Sequence, residues 1–329
     1  MKIGKRELLK EYCRLVRLQS AGFPSIIPVL GALCSGGRDL LHLGALFAIG
    51  LLLYILGSAL NEYVDIEVDQ LSKHLSKKPL VKGTIPKKNA LIITIIAGAV
   101  TLLLGLSFNV WAFGILLLSL SSAVFYDLFS KKLLGIEAAL AVWATSLFLF
   151  GAFTVSINLS PIIYILALLV FLRLMFETSV EGGLKDMEHD PQVKAKTIPN
   201  IFGVRVAGDR IHMPYLFKAY AFFLEIAFIL FMFGAFLFFD LNITALHVLV
   251  LTVLILGMFS TMRFLRLQQF QRRMIIRTAG LHELLAIIAL GVMLAPLIGA
   301  LTVFLMIFLA ALWELVLLRG LYGGFLPNI

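Results

Sequence analysis

The sequence predicts an all-α membrane protein, a bundle of transmembrane helices around a central cavity, and two observations carry that prediction. Of the 329 residues, 60% are hydrophobic and only 14% are charged, and the mean hydropathy is +0.99. An average soluble domain has about 25% charged and about 45–50% apolar residues. Apolar runs of about 20 residues, the length that crosses a bilayer as a helix, recur along the whole chain. This composition excludes a disordered chain, a secreted disulfide scaffold and almost every water-soluble fold.

Nine spans account for the apolar runs, or ten if the C-terminal run is counted separately. The nine predicted spans are 18–35, 41–63, 89–106, 110–127, 136–154, 161–181, 214–238, 243–263 and 281–299. A single helix over 281–318 would be about 57 Å long, too long for a hydrocarbon core of about 30 Å. Pro296 and Gly299 therefore predict a break, which makes 300–329 a candidate extra span. We treat 1–329 as one membrane-embedded domain.

Residues 1–17 are predicted to form an amphipathic helix that lies on the membrane surface. Leu8, Tyr12 and Leu15 share one helical face, and Lys10 and Arg14 lie on the other. No cleavable signal peptide is expected, because this charged stretch precedes the first apolar run.

The basic residues predict the topology. Of the 28 Lys and Arg residues, 26 lie in the N-terminal segment or around the loops that follow predicted spans two, four, six and eight. The positive-inside rule places these segments in the cytoplasm, and we expect the membrane to be the plasma membrane of a prokaryote. The net charge of +9 is then explained by topology and by contact with membrane lipids, so nucleic acid is not an expected partner.

A row of polar residues ends the second predicted span, at the start of the predicted loop 64–88. Asn61, Asp65 and Asp69 are spaced four residues apart, which places their side chains on one face of a helix. A second row, Asp186 and Asp190, has the same spacing and lies in the predicted loop 182–213 after span six. Glu177 and Glu181 lie up to about two turns before it.

Two acidic rows at the cytoplasmic ends of spans predict a cation site. Acidic residues near the membrane are costly, and neighbouring carboxylates repel each other. Magnesium relieves both problems, and it favours one or two carboxylates together with phosphate oxygens. Two rows with nearby lysines therefore describe a diphosphate site with bridging magnesium, beside an apolar cavity for a lipid tail. The alternative for each row alone is a solvated helix end paired with lysines.

The two rows also resemble a known family. Asn61-x3-Asp65-x3-Asp69 and Asp186-x3-Asp190 resemble the two signatures of the UbiA superfamily of intramembrane prenyltransferases. The similarity extends to Lys78-Pro79-Leu80-Val81-Lys82-Gly83 after the first signature, and to the segment 194–203 after the second. Arg17 before the first span, and Tyr126 with Lys131 around the loop after span four, resemble further family positions. The resemblance covers residues 10–210 and the number of spans.

The resemblance implies a function and roles for individual residues. It implies Mg²⁺-dependent transfer of an isoprenyl chain from a polyprenyl diphosphate to a lipophilic acceptor, either an aromatic quinone precursor or a prenylated glycerol phosphate. It implies one Mg²⁺ ion on the first row and a second on Asp186 and Asp190. The implied diphosphate-binding residues, besides Asn61 at the first row, are Arg17, Lys78, Lys131 and Lys185. Tyr126 and the four aspartates are the implied catalytic residues.

Some residues depart from the family pattern. Lys78 and Lys82 replace the usual Arg and Ser, and lysine binds phosphate as a point charge rather than through a bidentate fork. Ser179 stands where many members have an acid. Two other functions therefore remain open from the sequence, an ion-coupled secondary transporter and a catalytically silent lipid-binding relative. Glu225 and Glu283 are further acids in predicted spans, where ionisable residues indicate function.

Overall fold

The computed structural model describes residues 4–70, 75–130, 132–187, 195–238 and 244–324, and over this part of the chain the all-α membrane fold is confirmed. Its helices, in chain order, are α1 (Lys5–Leu15), α2 (Gly22–Cys34), α3 (Leu40–Asp69), α4 (Lys87–Gly105), α5 (Val110–Phe129), α6 (Glu137–Val155), α7 (Pro161–Phe176), α8 (Gly183–Lys185), α9 (Ile198–Ile201), α10 (Tyr215–Phe238), α11 (Thr244–Leu265), α12 (Arg272–Ile298) and α13 (Ala300–Tyr322). Within the described residues nine of these helices, α3–α7 and α10–α13, are long and apolar enough to cross a membrane.

Three shorter elements complete the structure. A 3-10 turn, Leu18–Ala21, precedes α2, and a π-helical segment, Glu177–Gly182, joins α7 to α8. The strands β1 (Arg205–Ala207) and β2 (Arg210–His212) pair as an antiparallel hairpin, with Arg205 opposite His212.

The predicted first span is a bent element. The helix α1 and the segment Leu18–Cys34 meet at an angle of 49°, and together they would make a tenth span. On α1, Leu9 is exposed as a surface helix requires, whereas Leu15 is buried and packs with Leu80 and Ile85 of the loop before α4. The amphipathic pattern therefore serves a protein contact as well as the membrane surface.

The chain divides into two compact units, and the first comprises residues 1–128, 146–159 and 304–329. Glycines permit its closest helix contact, because a side chain at Gly31 would collide with the carbonyl oxygen of Phe148, and one at Gly151 with that of Pro28. Trp313 on α13 donates to the Leu18 carbonyl oxygen at 2.8 Å and so ties the C-terminal helix to the 3-10 turn.

The second unit comprises residues 129–145 and 160–303. In it α7 packs against α10, and α11 packs against α12. The hairpin is held by the loop before α12, because Ile211 donates its amide to the Gln268 carbonyl at 3.0 Å and Phe270 donates to Asp209 at 2.7 Å.

The structure moves several predicted boundaries. The helix α3 continues through Asp69, so the first residues of the predicted loop 64–88 are helical. The predicted break before the C-terminal run lies at Gly299, whose φ of 90° separates α12 from α13, while Pro296 stays inside α12. The C-terminal run is therefore a helix of its own.

Candidate active site

The first polar row lies on the last two turns of α3, in the first compact unit. Asp69 is only 3% exposed, and its Oδ2 accepts a hydrogen bond from Lys78 Nζ at 2.6 Å. Asn61 Nδ2 lies 3.5 Å from Asp65 Oδ2, at the limit for a hydrogen bond. Because α3 stays helical through all three residues, the four-residue spacing brings them to one face, as the sequence predicted.

Glu62 also belongs to this site, although the sequence analysis did not select it. It is 3% exposed, and its Oε1 accepts from Arg17 at 2.8 Å and from Lys78 at 2.9 Å. The available signal was an acid directly after Asn61 in an otherwise apolar helix, because a buried carboxylate needs a cation. Arg17 and Lys78, two of the four basic residues that were predicted to contact diphosphate, thus serve here as counterions of Glu62.

Arg17 reaches this site from a strained backbone. Its φ of 48° makes it the sole non-glycine with a positive φ among the described residues. A left-handed conformation costs about 1–3 kcal/mol and persists where the surroundings enforce it. The guanidinium donates to Asn61 Oδ1 at 3.2 Å and to Glu62, so these contacts are what the conformation secures.

Asp127 is a second acid that the sequence analysis missed. It lies on α5, is 5% exposed, and interacts with Arg17, Asn61 and Asp65. A Cβ placed on Gly57 would lie 3.6 Å from its Oδ2, so the carboxylate approaches the face of α3 that carries Asn61. That oxygen is buried without a hydrogen-bond partner. An acid directly after Tyr126 was the available signal, but it gave no indication of burial.

Two carboxylate oxygens of this cluster lack a partner. Glu62 Oε2 and Asp127 Oδ2 are both buried without a hydrogen-bond partner. A buried carboxylate oxygen in this state is costly. A divalent cation would compensate such oxygens, so the residues present fit the predicted ion.

Among the residues that the structure describes, no three His, Cys, Asp or Glu side chains come together in a way that could hold a metal ion. Mg²⁺ usually takes one or two carboxylates from a protein and completes its shell with substrate phosphate oxygens and water.

The second row lies in the other compact unit and is described in part. Asp186 follows α8 with its side chain 46% exposed, and its Oδ1 lies 3.7 Å from Arg272 Nη2 at the start of α12. Lys185 is the last residue of α8. Asp190 and Lys131 lie outside the described residues. That the two rows face each other stays a prediction.

The residue that replaces the expected acid has a structural partner. Ser179 is fully buried in the π-helical segment, and its hydroxyl lies 2.9 Å from the hydroxyl of Tyr220 on α10. The nearby Glu181 is also buried and is bound by Arg173 and His282. The sequence did not indicate His282, which lies within an apolar span, and it gave no sign of the π-helical segment.

The sequence is similar to a known protein family and to named proteins. The sequence model described as the UbiA prenyltransferase family matches residues 24–273. The digeranylgeranylglyceryl phosphate synthase of Pyrococcus abyssi is 26% identical over 206 residues, which cover 60% of this chain and 71% of that protein.

Solved structures give the same result for the fold. A structure of digeranylgeranylglyceryl phosphate synthase superposes with a TM-score of 0.69 at 20% identity, over 89% of this chain and 99% of that one. A UbiA homologue from Archaeoglobus fulgidus, bound to GPP and Mg²⁺, gives a TM-score of 0.63 at 17% identity, over 86% of this chain and 99% of that one.

Proposed function

Because the chain belongs to the UbiA prenyltransferase family and is an integral membrane prenyltransferase, we propose that it alkylates a prenylated glycerol phosphate with an isoprenyl diphosphate. The observation that carries the proposal is the group of acids at the end of α3 and on α5, in which two buried carboxylate oxygens, Glu62 Oε2 and Asp127 Oδ2, lack a partner and suit a divalent cation. The membrane spans supply an apolar environment for the isoprenyl chains.

Both polar rows are assigned to Mg²⁺. We assign Asn61, Asp65 and Asp69 to one Mg²⁺ ion, and Asp186 and Asp190 to a second. Bound Mg²⁺ would neutralise the negative charge that develops on the leaving diphosphate. The UbiA homologue from Archaeoglobus fulgidus that was solved with GPP and Mg²⁺ supports the use of Mg²⁺ with an isoprenyl diphosphate.

The basic residues are assigned to the diphosphate. Lys78 is 19% exposed and already lies among the acids of the row, where it can move from a carboxylate to a phosphate oxygen. Arg17 is fixed by Glu62 and Asn61, so it contributes a positive field at the same place. Lys185, Lys131 and Tyr126 are assigned by the family resemblance alone.

The reaction exchanges one carbon–oxygen bond for another. The bond between the allylic carbon and the diphosphate oxygen breaks, and its electron pair leaves with the diphosphate. The hydroxyl oxygen of the acceptor then forms the new bond to that carbon and releases its proton. Fixed positive charges beside the leaving group favour this step, and a water-poor interior protects the allylic cation from hydrolysis.

The relatives favour one of the two acceptors that the sequence left open. The curated relatives, from Pyrococcus, Thermococcus and other genera, are named for making digeranylgeranylglyceryl phosphate. Their name supports a glycerol phosphate that already carries one isoprenyl chain over an aromatic quinone precursor. We further propose that the enzyme lies in the plasma membrane of a prokaryote, with the motif loops and the N-terminus in the cytoplasm.

The test is product analysis with purified protein. The protein is incubated with Mg²⁺, isoprenyl diphosphates of several lengths, and either a prenylated glycerol phosphate or an aromatic acid, and the products are analysed by mass spectrometry. We expect an ether-linked product from the glycerol phosphate. If product forms only with the aromatic acid, the acceptor is an aromatic quinone precursor instead. If no combination of donor and acceptor gives product, the protein is a catalytically silent relative.

A further inference from the structure

Four charged side chains lie together inside the second compact unit, and the proposed reaction does not use them. Glu181 Oε2 accepts from Arg173 Nη2 at 3.2 Å, and Glu181 Oε1 lies 2.7 Å from His282 Nδ1. His282 Nε2 lies 3.1 Å from Glu225 Oε2. None of the four side chains is more than 12% exposed. We call Arg173, Glu181, Glu225 and His282 the intramembrane cluster.

Hydrogen-bond contacts join all four members of this cluster. His282 Nδ1 lies 2.7 Å from Glu181 Oε1 and 3.2 Å from Arg173 Nη1, and its Nε2 lies 3.1 Å from Glu225 Oε2. Two carboxylates thus share one guanidinium and one imidazole. Charged groups inside a membrane are expensive even when they are paired, and they usually mark a function.

The cluster is joined to the second acid row through Glu181. Glu181 belongs to the π-helical segment, which leads through α8 directly to Asp186. Such segments are rare and are frequently found at functional sites. Two other contacts hold this part of the chain. The hydroxyl of Ser179 in the π-helical segment pairs with that of Tyr220, and Gly183 of α8 packs closely on Pro199.

The helix α12 holds this part of the chain at two points. At its first residue, Arg272 lies beside Asp186, and ten residues later His282 lies beside Glu181. Along α12 the contacted acids come in the order Asp186, Glu181, the reverse of their order in the chain. The helix α12 therefore runs antiparallel to the segment that carries these two acids. A rotation or shift of the π-helical segment would therefore change the position of Asp186 relative to Arg272.

We propose that the intramembrane cluster positions Asp186 for the bound cation by holding the π-helical segment against α12. This proposal rests on the proposed function, in which Asp186 binds Mg²⁺. The cluster itself is not a metal site, because Arg173 occupies one side of Glu181 and no metal-binding group of three is found among the described residues. The four members are positioning residues, since they act through Asp186 rather than on the substrate.

The test measures Mn²⁺ affinity by electron paramagnetic resonance in the presence of a non-hydrolysable diphosphate analogue. Partners that orient a metal ligand typically contribute 10–100-fold to metal affinity. We expect His282→Gln to weaken Mn²⁺ binding about tenfold in the wild-type background, and to have almost no effect in the Asp186→Asn background. If His282→Gln does not fold, Glu225→Gln takes its place, because it preserves the shape of the side chain.

Thr261→Val is the matched control. Thr261 is 1% exposed on α11 of the same unit, and its hydroxyl is buried without a partner, so its replacement should leave Mn²⁺ affinity unchanged. Wild-type affinity in the cluster variant, or an equal loss with and without Asp186, would overturn the positioning role. Failure of the wild-type protein to bind Mn²⁺ would contradict the proposed function itself and this inference with it.

Turnover provides a second, independent readout. A cluster that positions Asp186 should mainly raise the KM for the cation and the donor in Glu225→Gln, and excess Mg²⁺ should restore much of the rate. A cluster that only stabilises the fold should instead lower the amount of active enzyme at unchanged KM, and that result would overturn the proposal.

Discussion

Lys78 Nζ lies 2.6 Å from Asp69 Oδ2, and this contact makes a lysine of the loop before α4 the direct counterion of the acid row. The same ammonium lies 2.9 Å from Glu62. Both acids are 3% exposed, and Glu62 has Arg17 as a second counterion. A lysine can therefore stand where the family pattern has an arginine, because its point charge reaches both carboxylates.

Removing this counterion should destabilise the protein. Breaking a buried ion pair costs about 3–5 kcal/mol, because the remaining charge is left without compensation. We expect Lys78→Met to lower the Tm in metal-free detergent clearly, and added Mg²⁺ to recover part of the loss. The matched control is Lys82→Met. The Lys82 side chain is 55% exposed, and its Nζ makes only a weak contact, 3.8 Å from Glu11 Oε1. Equal Tm values for the two variants would contradict the role of Lys78 as a counterion.

Asp65 should affect turnover without affecting stability. Its negative charge acts against those of Asp69 and Asp127, and its Oδ2 lies 3.5 Å from Asn61 Nδ2. Asp65→Asn should therefore leave the Tm of the metal-free protein unchanged or slightly raised. Turnover should fall by about 10²–10³, the usual loss for one well-placed electrostatic group. Glu67→Gln, which changes an exposed acid on the same helix, should alter neither quantity. A large drop in Tm with near-normal turnover would show that Asp65 is structural.

Asp127 should behave as an acid that needs a cation. Because its Oδ2 is buried and unpartnered, removing the charge should stabilise the metal-free protein or leave it unchanged. We expect Asp127→Asn to weaken Mn²⁺ binding at the same time, by several-fold. Asp209→Asn, at an exposed acid of the hairpin, is the control. Destabilisation without any change in Mn²⁺ affinity would place Asp127 outside the cation site.

The backbone of Arg17 can be tested by comparing two truncations. Arg17→Gly and Arg17→Ala both remove the guanidinium from Glu62, but only glycine adopts the left-handed conformation at no steric cost. The glycine variant should therefore be about 1–2 kcal/mol more stable than the alanine variant. Denaturation of the two proteins side by side measures this difference. Equal stability would show that residue 17 changes its conformation once the guanidinium is gone.

The four-residue spacing in the sequence predicted the first polar row, but it did not reveal the acids that contact this row. Asn61, Asp65 and Asp69 were predictable because their four-residue spacing and an uninterrupted helix suffice to bring them together. Asp127 meets them only through the packing of α5 on α3, which a single sequence does not reveal. Glu62 lies three residues before Asp65 and seven before Asp69, which are also spacings of a shared helical face, and it was missed because only the four-residue spacing was considered.

The second row shows a different limit of the sequence. Ser179 was identified from the family pattern as the replacement of an acid, and the sequence gave no sign that the chain is π-helical at this point. His282 was not selected because it lies in an apolar span far along the chain, and its role depends on contact with Glu181. Eight of the nine predicted spans, and the C-terminal run predicted as a possible extra span, are long apolar helices among the described residues, and they were predictable because they depend on length and hydropathy alone.

The requirement for a divalent cation is the central claim, and donor binding tests it most directly. The measurement is the affinity of the purified protein for geranyl thiodiphosphate, a non-reactive donor analogue, first with Mg²⁺ and then with EDTA. We predict binding with Mg²⁺, loss of binding in EDTA, and recovery when Mg²⁺ is restored in excess, because the acid row would otherwise repel the diphosphate. Equal affinity with Mg²⁺ and with EDTA would contradict the assignment of the acid rows to a cation.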